Sequence, residues 1–380
     1  MQHRPAAAEE FSQWAAALVP DRIPAAVRRA LDSSLLDVVG LCLAARHTDY
    51  VRAALAAWDG AGACTAVGHQ RRMDAAGAAL LNGLAAHGED YDDTFEGTPV
   101  HTGVVVFPTV LAACEANGRA GVHALLGAAA GAELMCRMAL VAPTAIHRAG
   151  FHPTAVIGAM GAAAAASVAL GHTPRQITDA LGIAGSMASG IIEYLAEGTW
   201  TKRLHPGWAA QSGLRAAALA RAGFTGPRTV LDGEHGFFHA FGVDSIVPDL
   251  RHLTAELGSL WHAASIAFKP YACGTMAQPY IDCAIRLARE GLRAGDIESI
   301  ACNVGEGTVH RLWEPAREKA HPSSAYSAKF SVPFCIAVGL LDRAAGLAQF
   351  TESRAADREI RALAEKVRYR VDPRNEYPQN

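Results

Sequence analysis

The sequence predicts a mainly α fold, with a large all-α helical domain over residues 1–264 and a smaller α+β domain over residues 265–380. Three observations lead there. Half of the 380 residues are hydrophobic (51%), yet only 7% are aromatic and 36 are glycine, so small side chains carry the apolar volume. That composition supplies a core and excludes disorder over most of the chain. Apolar residues recur at helical spacing from Phe11 to about Ala264, and the texture changes after Phe268-Lys269-Pro270.

Taken in order, Pro24 stands near the first turn of a helix in which Val27, Leu31, Leu35 and Val38 share a face. Met73-Asp74-Ala75-Ala76-Gly77 leads into a second apolar run through Leu84. Further helices are expected at Val104–Glu115, Val122–Met138, Thr154–Leu170, Pro174–Ser189 and Trp208–Ala222. Gly118, Gly171 and Gly223 follow three of them, where C-caps belong. In the second domain, Gln278–Glu290 and Phe330–Leu341 read as helices, and Ile297–Val304 and Lys366–Val371 as strands. Helices mixed with strands suggest an α+β unit facing the first across a cleft, a usual place for ligands.

Charge and cysteine usage exclude several classes. Thirty-four basic and 37 acidic residues give a formal charge of −3, which favours neither nucleic acid nor an anionic membrane. The eight cysteines form no CxxC pair, so neither a zinc site nor a disulfide scaffold is expected. The most apolar stretch, Pro153–Gly171, is mostly alanine and glycine and reads as a buried helix rather than a membrane span. The first ten residues lack a signal peptide's apolar run, so the expected location is cytoplasmic. No GxxxxGK[ST], GxSxG, HExxH or post-strand GxGxxG is found, which removes support for P-loop, esterase, zincin and Rossmann readings.

Four polar segments interrupt the apolar pattern. Residues 87–103 (HGEDYDDTFEGTPVHTG) gather His87, Glu89, Asp90, Asp92, Asp93, Glu96 and His101; Asp90 and Thr94 would share a face if the stretch were helical. A solvated acidic loop or a divalent-cation site are the plainer alternatives. His152 precedes the Ala-rich helix, where the helix dipole keeps an imidazole neutral and ready as a base; a satisfied core histidine is the alternative. Lys202, Arg203 and His205 precede another helix and form a candidate carboxylate site, against an ordinary surface pair. Lys269 stands beside an aromatic residue at the domain junction. Cys273, with no base nearby in sequence, reads as structural.

At these segments the chain resembles the MmgE/PrpD family of 2-methylcitrate dehydratases, cis-aconitate decarboxylases and iminodisuccinate epimerases. The matching stretches are LLDVVGLCLA (35–44), NGLAAHGEDYDDT (82–94), GFHPTAVIGAMGAAAAA (150–166), ALGIAGSMASGIIEYLAEGTWTKRLHPGWAA (180–210), FKPYACG (268–274) and AKFSVPFCIAVGLLD (328–342). The resemblance implies an all-α domain with a smaller α+β lid, a homodimer, a small polycarboxylate substrate, and need of neither metal nor organic cofactor. It places the family's active-site Asp and Thr on Asp90 and Thr94, its histidines on His101 and His152, and its anion-binding lysines on Lys202 and Lys269. There are departures: decarboxylase-like members carry a histidine where this chain has Gly274 and a tyrosine where it has Phe334. Dehydratase-like members read Thr-His-Pro where it has Ala277-Gln278-Pro279, and the chain ends at Asn380 just after a lid strand, short of the usual lid.

The expected chemistry is lyase chemistry through carbanion character next to a carboxylate. Lys202 and Lys269, with Arg203 or His205, would hold the carboxylates, fixed cations in a desolvated cleft being a large catalytic term. His101 or His152 would remove the α-proton, with the other or Asp90 as acid. Dehydration of a 2-methylcitrate-like acid is the first expectation and epimerisation of an iminodisuccinate-like acid the second. A non-catalytic polycarboxylate-binding paralogue is the third.

Overall fold

The computed structural model describes residues 5–95, 98 and 100–375. The chain forms two compact units. The first takes the chain up to Gly88 together with Asp92–Phe268; the second takes Glu89–Tyr91 and the chain from Lys269 onward.

The main helices of the first unit are α1 (Ala7–Ala16), α2 (Ala25–Ala45), α3 (Asp49–Ala57), α4 (Ala75–His87) and α5 (Gly103–Ala116). They are followed by α6 (Gly121–Val141), α7 (Pro153–Ala169), α8 (Pro174–Met187) and α9 (Thr201–Arg221). Helix α7 is the centre: all seventeen of its residues are buried, and it packs on α5, α6, α8 and α9. Ala-rich faces permit this, because small residues let helix axes close in until backbones meet. Helices α4 and α9 show the limit. A β-carbon on Gly207 would stand 2.1 Å from the Leu80 carbonyl oxygen, and one on Gly83 would stand 2.7 Å from the Gly207 Cα. Gly118, Gly171 and Gly223 adopt the positive φ of helix C-caps.

Helix α6 is long and apolar enough to cross a membrane by length and composition alone, but 78% of its apolar window is buried against the rest of this unit. It also carries a buried ion pair, Arg137 to Glu133 at 2.7 Å, and Arg137 donates to the carbonyls of His252, Ala255 and Leu260. A buried charge pair with its remaining donors satisfied is what a core helix can hold.

The structure departs from the sequence reading in three places. Helix α9 begins at Thr201, so Lys202, Arg203 and His205 lie inside its first turns rather than before it; Pro206 hid this start. Helical periodicity also fails beyond Arg221, where the segment to Ser265 holds only a five-residue helix (Phe237–Phe241) and short 3₁₀ turns. Finally, residues 88–95 of the acidic stretch are not helical. Asp90 has a left-handed φ of 55°, and β3 (Thr94–Phe95) pairs antiparallel with β4 (Ile266–Ala267), following the short hairpin of β1 (Cys64–Thr65) and β2 (Arg72–Met73). Asp90 and Thr94 therefore share no helix face.

The second unit has its own core. Helices α10 (Gln278–Arg289), α11 (Val332–Asp342) and α12 (Arg358–Ala364) surround buried Ile281, Trp313, Phe334 and Ile360. Strands β5 (Ile300–Val304) and β6 (Val367–Val371) pair in parallel, Ile300 opposite Val367. Six of the eight cysteines are buried, and all eight are free thiols.

The α4–α9 contact yields a test. Gly207→Ala forces two backbones apart and should cost about 3 kcal/mol, the upper range for overpacking a core. Gly121→Ala, where a β-carbon meets nothing within 4 Å, should change stability by less than about 1 kcal/mol. Urea denaturation midpoints of the two variants check both expectations.

Candidate active site

Four imidazoles meet inside the first unit. Helix α4 is buried along nearly its whole length and delivers His87 at its last position, while Asp74 caps its first turn by accepting from the Gly77 N–H at 3.0 Å. His101 stands two residues before α5, and His152 is the N-cap of α7. His205 lies three residues after Lys202 in α9, which puts both on one helix face. Ring centroids lie 5.1 Å apart for His87–His101, 5.6 Å for His87–His152 and 5.2 Å for His152–His205. Tyr194 makes a T-shaped contact with both His152 and His205.

Hydrogen bonds set the tautomers of two of these rings. His87 Nδ1 meets Asp92 Oδ2 at 2.7 Å, with both side chains fully buried. His101 Nδ1 lies 2.6 Å from the Asp93 carbonyl, which only accepts, so Nδ1 carries a hydrogen and Nε2 is the nitrogen left for proton exchange. Asp92 Oδ2 also stands 3.4 Å from His101 Nδ1, bridging the two histidines. The backbone N–H of His101 donates to Thr154 Oγ1 of α7 at 3.2 Å, tying the loop to the central helix. Asp93 serves the scaffold. It accepts from Ser34 Oγ and from the Gly103 N–H at 3.1 Å, placing a carboxylate at the N-terminus of α5.

Electrostatics keep two imidazoles neutral. Burial pushes His152 well below the ordinary histidine value, helped by His205, His87, Lys202 and His101. Burial, then His87 and Lys202, lowers His205 to about 4. Lys202, itself buried, thus acts electrostatically on both rings. Arg203 is turned elsewhere: its Nε donates to the Gly88 carbonyl at 3.0 Å and its guanidinium lies 4.3 Å over the Tyr50 ring. Thr94 is buried in β3. Glu96 lies outside the described residues.

Asp90 and Lys269 belong to the second unit and meet there. Lys269 Nζ donates to Asp90 Oδ1 at 2.6 Å and to the Asp90 carbonyl at 2.9 Å, with both side chains nearly fully buried. The preceding residue is held the same way, Lys329 Nζ donating to the Glu89 carbonyl at 2.6 Å and to Glu89 Oε2 at 3.1 Å. Gln278 braces the nearby loop by accepting from the Tyr271 N–H and donating to the carbonyls of Tyr271 and Cys273. Phe334 is fully buried against Phe350.

Two of these groups had no role in the sequence-derived site: His87, with Asp92 behind it, and Lys329. A signal for His87 existed. It is the polar end of a helix that is otherwise apolar all round, where a histidine needs a partner to be buried. Nothing comparable marked Lys329.

Comparison with known proteins agrees in extent with this picture. The sequence model of the MmgE/PrpD N-terminal domain matches residues 9–246, and that of the MmgE/PrpD C-terminal domain matches residues 271–380. A cis-aconitate decarboxylase of Aspergillus terreus is 29% identical over 381 residues, covering 94% of this chain and 77% of the relative. The Homo sapiens cis-aconitate decarboxylase is 32% identical over 311 residues (78% of this chain, 62% of the relative), and the Mus musculus one 30% identical over 304 (78% and 61%).

The buried imidazoles make stability depend on pH with a definite sign. His205 and His172 stay neutral in the folded chain down to about pH 4, and burial likewise holds His152 well below the ordinary histidine value, whereas the unfolded chain takes up these protons near pH 6.5. More protons bound to the unfolded state means stability falls as pH drops from about 6.5 towards 4. Asp93, raised to about 6 by burial, works the other way as pH falls from about 6 to 3.8. Three histidines outweigh that one carboxyl. Urea unfolding measured from pH 7 to 4.5 should show the decline, and His205→Asn should make it shallower.

Proposed function

The chain belongs to the MmgE/PrpD family, and on that premise we propose that it is a lyase for a small tricarboxylate. The observation carrying the reading is a buried lysine, Lys202, set within electrostatic reach of His152 and His205, beside two further histidines whose Nδ1 atoms face Asp92 and the Asp93 carbonyl. Lys202 takes a substrate carboxylate in a charge-assisted contact, which is strong where water is excluded. His101, oriented by its Nδ1–H on the Asp93 carbonyl, or His152, at the N-terminal end of α7, then moves the proton on the carbon next to that carboxylate. Bringing a polyanion beside these rings raises their proton affinity, so the same imidazoles serve as base before the step and as acid after it.

Two lyase reactions use this step. In decarboxylation of a cis-aconitate-like acid, the bond to the departing carboxylate breaks and its electron pair forms a new C=C. The old double bond's pair takes a proton from an imidazolium. That the relatives are cis-aconitate decarboxylases supports this reading, which moves ahead of the dehydration that the sequence alone favoured. In dehydration of a 2-methylcitrate-like acid, an imidazole removes the α-proton and the C–O bond breaks, hydroxide leaving as water with a proton from the acid. Gly274 and Phe334, where the resemblance places a decarboxylase's histidine and tyrosine, support this second reading, as do imidazoles held neutral and base-ready.

Incubation in D₂O with cis-aconitate, 2-methylcitrate, citrate and iminodisuccinate, followed by proton NMR, separates the outcomes. A terminal methylene pair with CO₂ release supports decarboxylation, and a new internal alkene supports dehydration. Exchange without elimination indicates an epimerase, and a silent panel overturns the lyase reading. Lys202→Met should lower kcat/KM by about 10³-fold, the scale for losing a preorganised charge at the reacting centre. Turnover within tenfold of wild type would remove Lys202 from the mechanism.

A further inference from the structure

We infer that His152 and His205 act as one unit holding a single excess proton, with His205 carrying the charge in place of binding a substrate carboxylate. The inference deepens the lyase reading and rests on it for its catalytic arm. His152 Nδ1 and His205 Nδ1 face each other at 3.1 Å, a hydrogen-bond distance, and both rings are buried. Two facing nitrogens hold one hydrogen between them. One ring is therefore the Nδ1–H tautomer with a bare Nε2, and the other is the Nε2–H tautomer with a bare Nδ1. The pair is asymmetric by construction.

The consequence is a balanced relay. When the ring with bare Nε2 takes a proton there, its Nδ1–H bond breaks and a new N–H bond forms on the partner's Nδ1. The first ring is left neutral with hydrogen on Nε2, and the positive charge rests on the second. A further proton would put hydrogens on both Nδ1 atoms, facing each other at 3.1 Å, so the pair accepts one charge and resists two.

Position decides which ring keeps the charge. His152 is the N-cap of α7, a 17-residue helix whose positive end disfavours an imidazolium there. His205 lies past the first turn of α9, where that effect has faded. The groups facing the pair are His87 from α4, His101 from the loop before α5, Tyr194, and Lys202 from α9, with Asp92 behind His87. Gly190 locks the alignment. It accepts the His152 N–H through its carbonyl at 2.9 Å, its φ is 128°, and a β-carbon there would stand 2.5 Å from Ala155 Cβ and 3.4 Å from the His205 ring.

The test joins spectroscopy and kinetics on the full chain. ¹⁵N NMR of histidine-labelled protein at pH 7, assigned with His152→Asn and His205→Asn, should show opposite tautomers and a scalar coupling across Nδ1···Nδ1. Acid titration should charge His205 first and add one proton to the pair before the second. Matching tautomers, or charging of His152 first, overturns the inference whether or not any substrate turns over. In His205→Asn the side-chain oxygen still accepts from His152 Nδ1–H but takes no proton. With the substrate that wild type converts, kcat should fall about 100-fold while KM stays within about threefold. A raised KM with kcat retained would make His205 a carboxylate ligand and overturn the relay. A wild type silent on every substrate fails the lyase reading, and the NMR arm then decides the pair alone.

Discussion

The backbone contact between α4 and α9 is the constraint on which the candidate site of the helical unit depends. His87 sits at the last position of one helix, and Lys202 and His205 sit in the first turns of the other. These ends converge because Gly83 and Gly207 let the two backbones touch beside Leu80. Any larger residue there would move one helix by more than the tolerance of a hydrogen bond, since packed interiors do not deform continuously. The alanine and glycine that make this chain light in aromatics are thus a precondition of the chemistry.

Close packing also sets the electrostatics. Once four imidazoles and a lysine are brought under buried helices, desolvation becomes the first cause of the shifts at His152 and His205, and their neighbours add to it. The protein does not cancel this with a carboxylate at each ring. Asp92 serves His87 and His101, whereas His152 and His205 face each other. One half of the cluster is held by an anion and the other by a shared hydrogen. Such an arrangement leaves the desolvation of His152 and His205 uncompensated, so both rings hold protons weakly.

How much of this was legible in the sequence follows from which signals are local. The buried helices were, because apolar runs bounded by Gly118, Gly171 and Gly223 carry both period and stop signal; Val104–Glu115 was expected where α5 runs from Gly103 to Ala116. The start of α9 was not, since Pro206 and a polar first turn resemble a loop. Nor was the break beyond Arg221, where apolar spacing suggested helix but Gly226, Pro227, Gly233, Gly236 and Pro248 interrupt it. Within the site, His101, His152 and Lys202 stood out as polar residues between apolar runs and the resemblance gave them roles, and their neighbourhood in the fold adds a physical reason for them. His87–Asp92, five residues apart, was within reach of a local reading, whereas the facing of His152 on His205 joins residues 53 apart, which no local pattern encodes.

The lysines show why a motif and a role are separate questions. Lys269 was expected to meet substrate, yet within its own unit its ammonium already holds Asp90 by side chain and backbone, and Lys329 holds Glu89 in the same manner. Two successive residues, one with left-handed backbone, are pinned by two buried cations. Breaking either pair would strand a buried charge, an outcome worth several kcal/mol and much larger than the loss of a surface contact. A lysine so engaged contributes first by fixing the tripeptide Glu89–Tyr91, and any further duty must begin from that geometry. Lys202 differs, because its charge falls on the imidazoles of His152 and His205 and helps hold their proton affinity down. The same residue type thus fixes a backbone in one unit and disfavours imidazolium in the other, and burial beside different neighbours is what separates the two effects.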